Sequence, residues 1–212
     1  MTHPPATHPA NHRHPVGLET AVAFINTLEL EHGLPLEHLT TLDAAIDWFG
    51  DQGLFHGDRA SWPHTASDPA DAARALDRIR AARAAMRSLA DAIADDRTVP
   101  AGSLDVINRL LRRREVIELV PSADGCAVGH RHVGDAIEDA LARMAERLVD
   151  VVAGGHEDRL RICANATCRW VFYDTSRTGR RRWCDMATCG NRAKAARHRA
   201  RLRTEDSLPP VT

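Results

Sequence analysis

The sequence predicts an α+β protein in two unequal parts: a mainly helical N-terminal body with a small sheet, then a short cysteine-rich unit. Three observations carry this. Apolar residues recur at three- and four-residue spacing through much of the stretch from Leu18 to Gly155. Val116 to Val120 and Cys126 to Val128, separated by Asp124-Gly125, read as a β-hairpin. Four of the five cysteines lie between Cys163 and Cys189.

Residues 1–15 hold His3, His8, His12 and His14 among Pro, Thr and Asn without an apolar period. They are expected to form a disordered tail, in which scattered histidines seldom make a defined metal site. The N-terminus lacks the layout of a secretion leader and no apolar run is long enough to cross a bilayer. A cytoplasmic protein is therefore expected, with no membrane partner.

The elements follow in order. Leu18, Val22, Ile25 and Leu28 stand at helical spacing until Gly33 and Pro35 break it. Thr40 or Thr41 caps a short helix over Leu42–Gly50, anchored by Trp48 and Phe49. Gly50, Gly53, Gly57 and Pro63 then mark a loop. Asp68-Pro69 is an N-cap and N1 pair opening a helix to about Asp95, with Ala72, Leu76, Ile79, Met86 and Ile93 on one face. Its Arg74, Arg78, Arg80, Arg83 and Arg87, mixed with Asp71, Asp77 and Asp91, read as a solvated face with ion pairs. Ser103 is expected to cap a helix through Leu110 and Leu111. After the hairpin, Ile137, Leu141, Met144, Leu148 and Val152 form a helical stripe ending near Gly154-Gly155. Cys126 is expected in the core as a small hydrophobe.

Between Leu18 and Gly155 there is no nucleophile–base pair and no Gly-rich phosphate loop. His130, Arg131 and His132 lack a carboxylate or third ligand at motif spacing. The chain is therefore not expected to be an enzyme. A small-molecule pocket or an association surface, including one for a homodimer, is the expected role of this body.

Cys163 and Cys168 have four residues between them, Cys184 and Cys189 the same, and fifteen residues separate the pairs. Two cysteine pairs joined by a short loop are the layout of a tetrahedral four-thiolate zinc site, one Zn2+ per chain. Two disulfides are the alternative, disfavoured in a reducing compartment. The loop carries Trp170, Phe172, Tyr173 and Trp183, expected as the unit's own small core, with Tyr173 also available for base stacking. Val171 to Tyr173 reads as one strand, Ser176 to Gly179 as a turn, and Arg180 to Trp183 as the return. A knuckle, a hairpin and two ligands at the start of a helix make a treble clef. Metal binding is expected to fold residues 159–203 and leave 18–155 largely intact.

The charge is unevenly spread. From Arg159 to Arg203 there are 13 Lys and Arg against Asp174 and Asp185 alone, in a chain of net charge −1. A basic helix is expected from Asn191 to Arg203, with Ala193, Ala196 and Ala200 turned toward the aromatic core. Candidate nucleic-acid contacts are Arg180, Arg181 and Arg182 from the loop, and Arg192, Lys194, Arg197, Arg199, Arg201 and Arg203 from the helix. Arg192 is also a candidate for bracing the knuckle.

Arg161-Ile162-Cys163 through Cys189-Gly190-Asn191-Arg192, with Trp170-Val171-Phe172-Tyr173-Asp174 and Arg182-Trp183-Cys184, resembles the CGNR zinc finger. In that family the finger follows an ABATE domain, whose opening signature Phe24-Ile25-Asn26-Thr27 resembles. The resemblance implies a stress-induced transcription regulator with an α+β N-terminal domain, a treble-clef finger that binds DNA, and no established catalysis. It divides the chain into a tail (1–15), an ABATE-like domain (16–156), a finger with its basic helix (157–203) and a C-terminal tail (204–212). The alternative is a finger that serves as a structural or protein-interaction module, or binds RNA, with its basic face paired to the acidic body.

Overall fold

In the computed structural model, helix α1 (Leu18–Ile25) buries Ala21, Phe24 and Ile25 and stops at Asn26. Residues 17–55, 63, 68–112, 115–122, 125–132 and 135–206 are described, with backbone alone at 113–118 where described, 129–132 and 203–206. The expected N-terminal tail, Gly57, Asp124 and Gly134 lie outside the described residues.

Leu28 does not extend α1. The chain instead enters an antiparallel hairpin of β1 (Leu28–Glu31) and β2 (Leu34–Glu37), with Leu28 opposite Glu37 and Glu31 opposite Leu34. His32 and Gly33 have φ of 53° and 87°, the left-handed pair that a two-residue hairpin turn requires. Gly33, expected as a helix breaker, is thus half of a turn.

Helix α2 (Leu42–Asp51) is capped by Thr41, whose hydroxyl accepts from the Ala44 amide at 3.1 Å. It delivers Trp48 and Phe49 into a cluster with Phe24 and Phe55, ring centroids 5.6 to 5.9 Å apart. Aromatic pairs at this separation add to the burial of the rings themselves.

Helix α3 (Pro69–Ala94) is the spine of the body, capped by Asp68 accepting from the Ala70 amide at 2.9 Å. Leu76, Ile79 and Met86 are buried as expected, while Ala72 and Ile93 are only partly so. Arg83 overturns the solvated-face expectation. It is 4% exposed, and its guanidinium holds both Glu37 carboxylate oxygens and the Thr27 hydroxyl. Charge pattern alone cannot reveal a partner 46 residues away on another element.

Helix α4 (Ala101–Leu111) begins before Ser103, which makes no cap; Pro100 occupies the cap position and fixes the entry at φ −58°. Strands β3 (Glu115–Ser122) and β4 (Gly125–His132) form the expected hairpin, extended at both ends, with Ser122 opposite Gly125. Gly125, expected in the turn, is thus the first residue of β4. Cys126 is exposed and not in the core; among the described residues β3 and β4 make a two-stranded sheet. Helix α5 (Ala136–Ala153), capped by Asp135, buries Leu141, Met144, Leu148 and then Val151. Val152, expected on the stripe, is 47% exposed; the buried row continues at a three-residue step, not a four.

Beyond α5 come β5 (Leu160–Ile162), β6 (Val171–Tyr173) and α6 (Asn191–Asp206). Strand β6 pairs antiparallel with β5, not with the Arg180–Trp183 segment expected to return beside it. Leu160 and Val171, 2% and 0% exposed, belong to the same core as α1, α3 and α5. Part of the stretch expected to fold separately on metal is thus continuous with the body. No described helix is long and apolar enough to cross a membrane.

Candidate metal centre and its junction with the body

The β5–β6 hairpin supplies the first cysteine pair. The Cys163 amide bonds the Trp170 carbonyl at 2.8 Å, closing a knuckle that holds Cys163 and Cys168. Inside it the Asn165 carbonyl accepts from the Cys168 and Arg169 amides at 2.9 and 3.0 Å, and Arg169 takes a left-handed φ of 51°. Of the second pair, Cys189 lies in a π-turn, Met186–Gly190, and Cys184 just before it; the turn is opened by Asp185, whose carboxylate accepts from the Thr188 amide at 2.7 Å and its hydroxyl at 2.9 Å. The Asn191 amide group reaches back to the Ala187 carbonyl at 3.0 Å. A Cβ on Gly190 would meet Met186 at 2.7 Å and the Trp183 ring at 3.4 Å, so glycine leaves room for both.

The four sulfurs all lie within 4.8 Å of one another. Cys168 and Cys184 are 3.8 Å apart, Cys184 and Cys189 3.9 Å. Tetrahedral thiolates at the usual Zn–S bond length stand about 3.8 Å apart. The fit is close. Burial, together with Cys163 nearby, pushes the Cys168 thiol up to about 11. Burial and Cys163 likewise raise Cys184. At Cys189 burial is outweighed by hydrogen bonds from the Asn165 amide, at 3.6 Å, and from neighbouring thiols, and the thiol is lowered. Four sulfurs gathered this closely form a cluster that could hold a metal ion, and a cation there would favour their thiolate forms. Trp170, Phe172 and Trp183 pack around it, as expected for the unit's own core. Tyr173 does not join them; it packs against the large core.

The body grips this unit through Asn26. Its carboxamide donates to the Val171 carbonyl at 2.8 Å and accepts the Val171 amide at 2.9 Å, so one side chain pairs with β6 as a neighbouring strand would. Asn26 is 3% exposed. Thr27 beside it donates its hydroxyl to the Phe24 carbonyl at 2.8 Å and accepts from Arg83 at 2.9 Å. Two family models meet at this junction. One, ABATE, described as "Putative stress-induced transcription regulator", matches residues 18–155. The chain belongs to the ABATE family. The second, the CGNR zinc finger, matches residues 159–202, so the finger follows the ABATE domain directly. No curated protein matches the chain.

The finger's remaining polar groups divide into two sets. Asp174 is fully buried and accepts from the Ser176 and Arg181 amides at 2.9 and 2.7 Å; burial opposes ionisation, yet these bonds hold its carboxyl at about 2. Arg159 donates to the carbonyls of Asp174 and Ser176, both at 2.9 Å, bracing the expected 176–179 turn. Arg181 lies 5.2 Å over the Phe172 ring and bonds the Cys184 carbonyl, so it is engaged inside the finger. Arg182 stacks on Trp183 at 5.5 Å, and Arg180 is exposed. On α6, Arg192, Lys194, Arg197, Arg199 and Arg201 are exposed, and among the described residues none makes an ion pair or a side-chain hydrogen bond. The Arg203 side chain lies outside the described residues. The alanine stripe does not dock: Ala193 is half-buried, but Ala196 and Ala200 are exposed, so α6 leaves the finger rather than folding onto it. Asn26, Arg83, Glu37 and Asp174 went unmarked as functional positions in the sequence; the Asn-Thr signature was the available signal for the first of them.

Proposed function

We propose that this ABATE-family protein is a zinc-dependent, DNA-binding transcription regulator of the cytoplasm. Cys163, Cys168, Cys184 and Cys189 would hold one Zn2+, which supplies a structural cross-link and no reaction chemistry in a closed four-thiolate site. α6 is the element offered to DNA, with Arg180 and Arg182 as flanking phosphate anchors and Arg181 occupied within the finger. The ABATE domain is the part that senses a ligand or associates with a second copy.

The observation that carries this reading is the state of the charges. Several of the body's carboxylates are paired with its own arginines: Glu37 with Arg83, Asp139 with Arg143 at 2.8 Å, and Asp150 with Arg147 at 3.0 Å. From the finger, Arg169 reaches Asp91 at 3.0 Å. The α6 cations have no such partner among the described residues, which weighs against a basic face neutralised by the acidic body. Unpaired cations along one helix are suited to displacing counterions from a phosphate backbone.

The test is fluorescence anisotropy of the metal-loaded protein with random-sequence duplex across a salt series. Binding should weaken linearly on logarithmic axes, with a slope of about −0.9 per phosphate contacted. Arg197→Ala with Arg199→Ala should reduce that slope by about two units at unchanged metal content. Salt-independent or absent binding would return the finger to a structural role, and tighter binding to single-stranded RNA would make RNA the ligand.

A further inference from the structure

A cavity of about 340 Å³ opens between α3, α4 and α5, away from the finger. It exists because α3 presents Ala81 and Ala82 where a larger side chain would fill the space toward Leu110 of α4 and Ile137 of α5. Ala82 and Leu141 are buried at its base, and Val106, Leu110 and Ile137 are half-buried along its sides. Arg78 and Arg109 stand at its rim.

These two arginines differ from their neighbours. On the same helix as Arg78, Arg74 pairs with Asp71, Arg83 with Glu37, and Arg87 with Asp91. Arg78 and Arg109 are exposed and make no ion pair among the described residues. Glu138, the acidic side chain of the lining, is half-buried and already engaged. Two guanidinium groups against one carboxylate leave a net charge of +1, which balances one negative charge rather than two. The described lining has no aromatic ring, so stacking contributes nothing and the walls suit a flexible aliphatic body. An apolar recess between helices with a few convergent polar groups is the form of a small-molecule site, and this volume falls at the lower end of the usual range.

We propose that this cavity binds a medium-chain aliphatic monocarboxylate, the chain against Leu110, Ile137 and Leu141 and the carboxylate between Arg78 and Arg109. The site gives chemical content to the sensing role proposed for the ABATE domain. Leu110 lies near the end of α4 and Ile137 near the start of α5, the two helices that flank the β3–β4 hairpin, so an occupant bridges the roots of that hairpin.

The experiment is calorimetric titration of the full, metal-loaded chain with octanoate, and separately with octanamide. It contains no nucleic acid, so its failure leaves the DNA-binding reading untouched. Octanoate should saturate at one per chain, and octanamide should bind about tenfold more weakly for want of charge-assisted bonds. Arg78→Gln and Arg109→Gln, both at exposed positions, should each weaken octanoate by about the same factor. Ala81→Trp, also at an exposed position, should abolish binding by filling the mouth, with an unchanged circular dichroism spectrum. No saturable binding, equal affinity for acid and amide, or full affinity in the Arg78→Gln/Arg109→Gln double variant would overturn the proposal. So would a concentration-dependent dimer in sedimentation that Ala81→Trp dissociates, since a second copy would then be the occupant.

Discussion

Replacing Asn26 with alanine is expected to destabilise the protein by about 3 kcal/mol. The substitution removes two hydrogen bonds at once, to the amide and the carbonyl of Val171. Asn26 is 3% and Val171 0% exposed, so bulk water does not replace them. Each stranded backbone group costs about 1–3 kcal/mol. The vacated carboxamide leaves a polar space in which one water can recover part of this, which sets the value in the lower half of the summed range. Urea unfolding of the metal-loaded protein measures the loss; at a slope of about 2 kcal/mol per molar, the midpoint should fall by about 1.5 M. Circular dichroism, dominated by the helices of the body, and the fluorescence of Trp170 and Trp183 in the finger should shift together, because Val171 lies in the shared core. Hydrogen exchange at the Val171 amide should accelerate by the same free energy. Asn26→Asp separates the two bonds: it keeps an acceptor for the amide but turns an oxygen toward the carbonyl. A loss below about 1 kcal/mol, or an unchanged Val171 amide, would refute the assignment of Asn26 as the bridge.

Three further outcomes follow from the same geometry. Cys184→Ser should reduce bound metal below one per chain by mass spectrometry of the native protein and change Trp183 emission, while circular dichroism retains the signal of α1 to α5. Arg83→Met should cost about 1–3 kcal/mol in urea unfolding, since the Thr27 hydroxyl and the Leu39-bound Glu37 lose their buried donor while Glu37 keeps Arg80 at 3.6 Å. Burial opposes Glu37 ionisation, but Arg83, the Leu39 amide and Arg80 hold its carboxyl below the ordinary 4.5; its contribution is full above that pH, declines as pH falls below it, and should shrink in the acid limb of the Arg83→Met stability curve, where Leu39 and Arg80 remain. Asp174→Asn should cost about 2 kcal/mol by setting an amide donor against backbone N–H groups. Because the Asp174 carboxyl sits at about 2 against an ordinary 3.8, the stability it adds is present above the higher value and is lost as pH falls through the lower, readable in an acid titration of the wild type against the variant.

What the sequence made legible was local. Asp68-Pro69 and Thr41 announced their helices because a cap acts within three residues, and the two cysteine pairs announced their site because each ligand loop is short. Arg83 and Asn26 were not legible in the same way. Their partners, Glu37 and Val171, lie on other elements, and nothing in a helical or strand period marks a side chain that finds its partner across the core. The β1–β2 hairpin was lost to a similar competition: Leu28 continued the spacing of α1 by coincidence, and the turn at His32-Gly33 lacked an Asn-Gly or Asp-Gly pair. The partner of β6 was misjudged because the nearer segment in sequence, Arg180–Trp183, passes by without pairing, while β5 arrives from the other side of the knuckle.

The clasp of Asn26 on Val171 also bears on what the proposed metal would do. Cys163 follows a strand anchored in the body, whereas Cys184 and Cys189 ride on a stretch tied to it by a few bonds, the Ala164 amide on the Arg182 carbonyl at 2.9 Å, Asp174 on the Arg181 amide and the Asn165 amide on Cys189, to which a bound ion would add. The cluster is therefore a joint between a fixed bracket and an arm. Without an ion the bracket would stand and the arm would be held more loosely, so that a metal bound there would set the bearing of α6, not the existence of the fold.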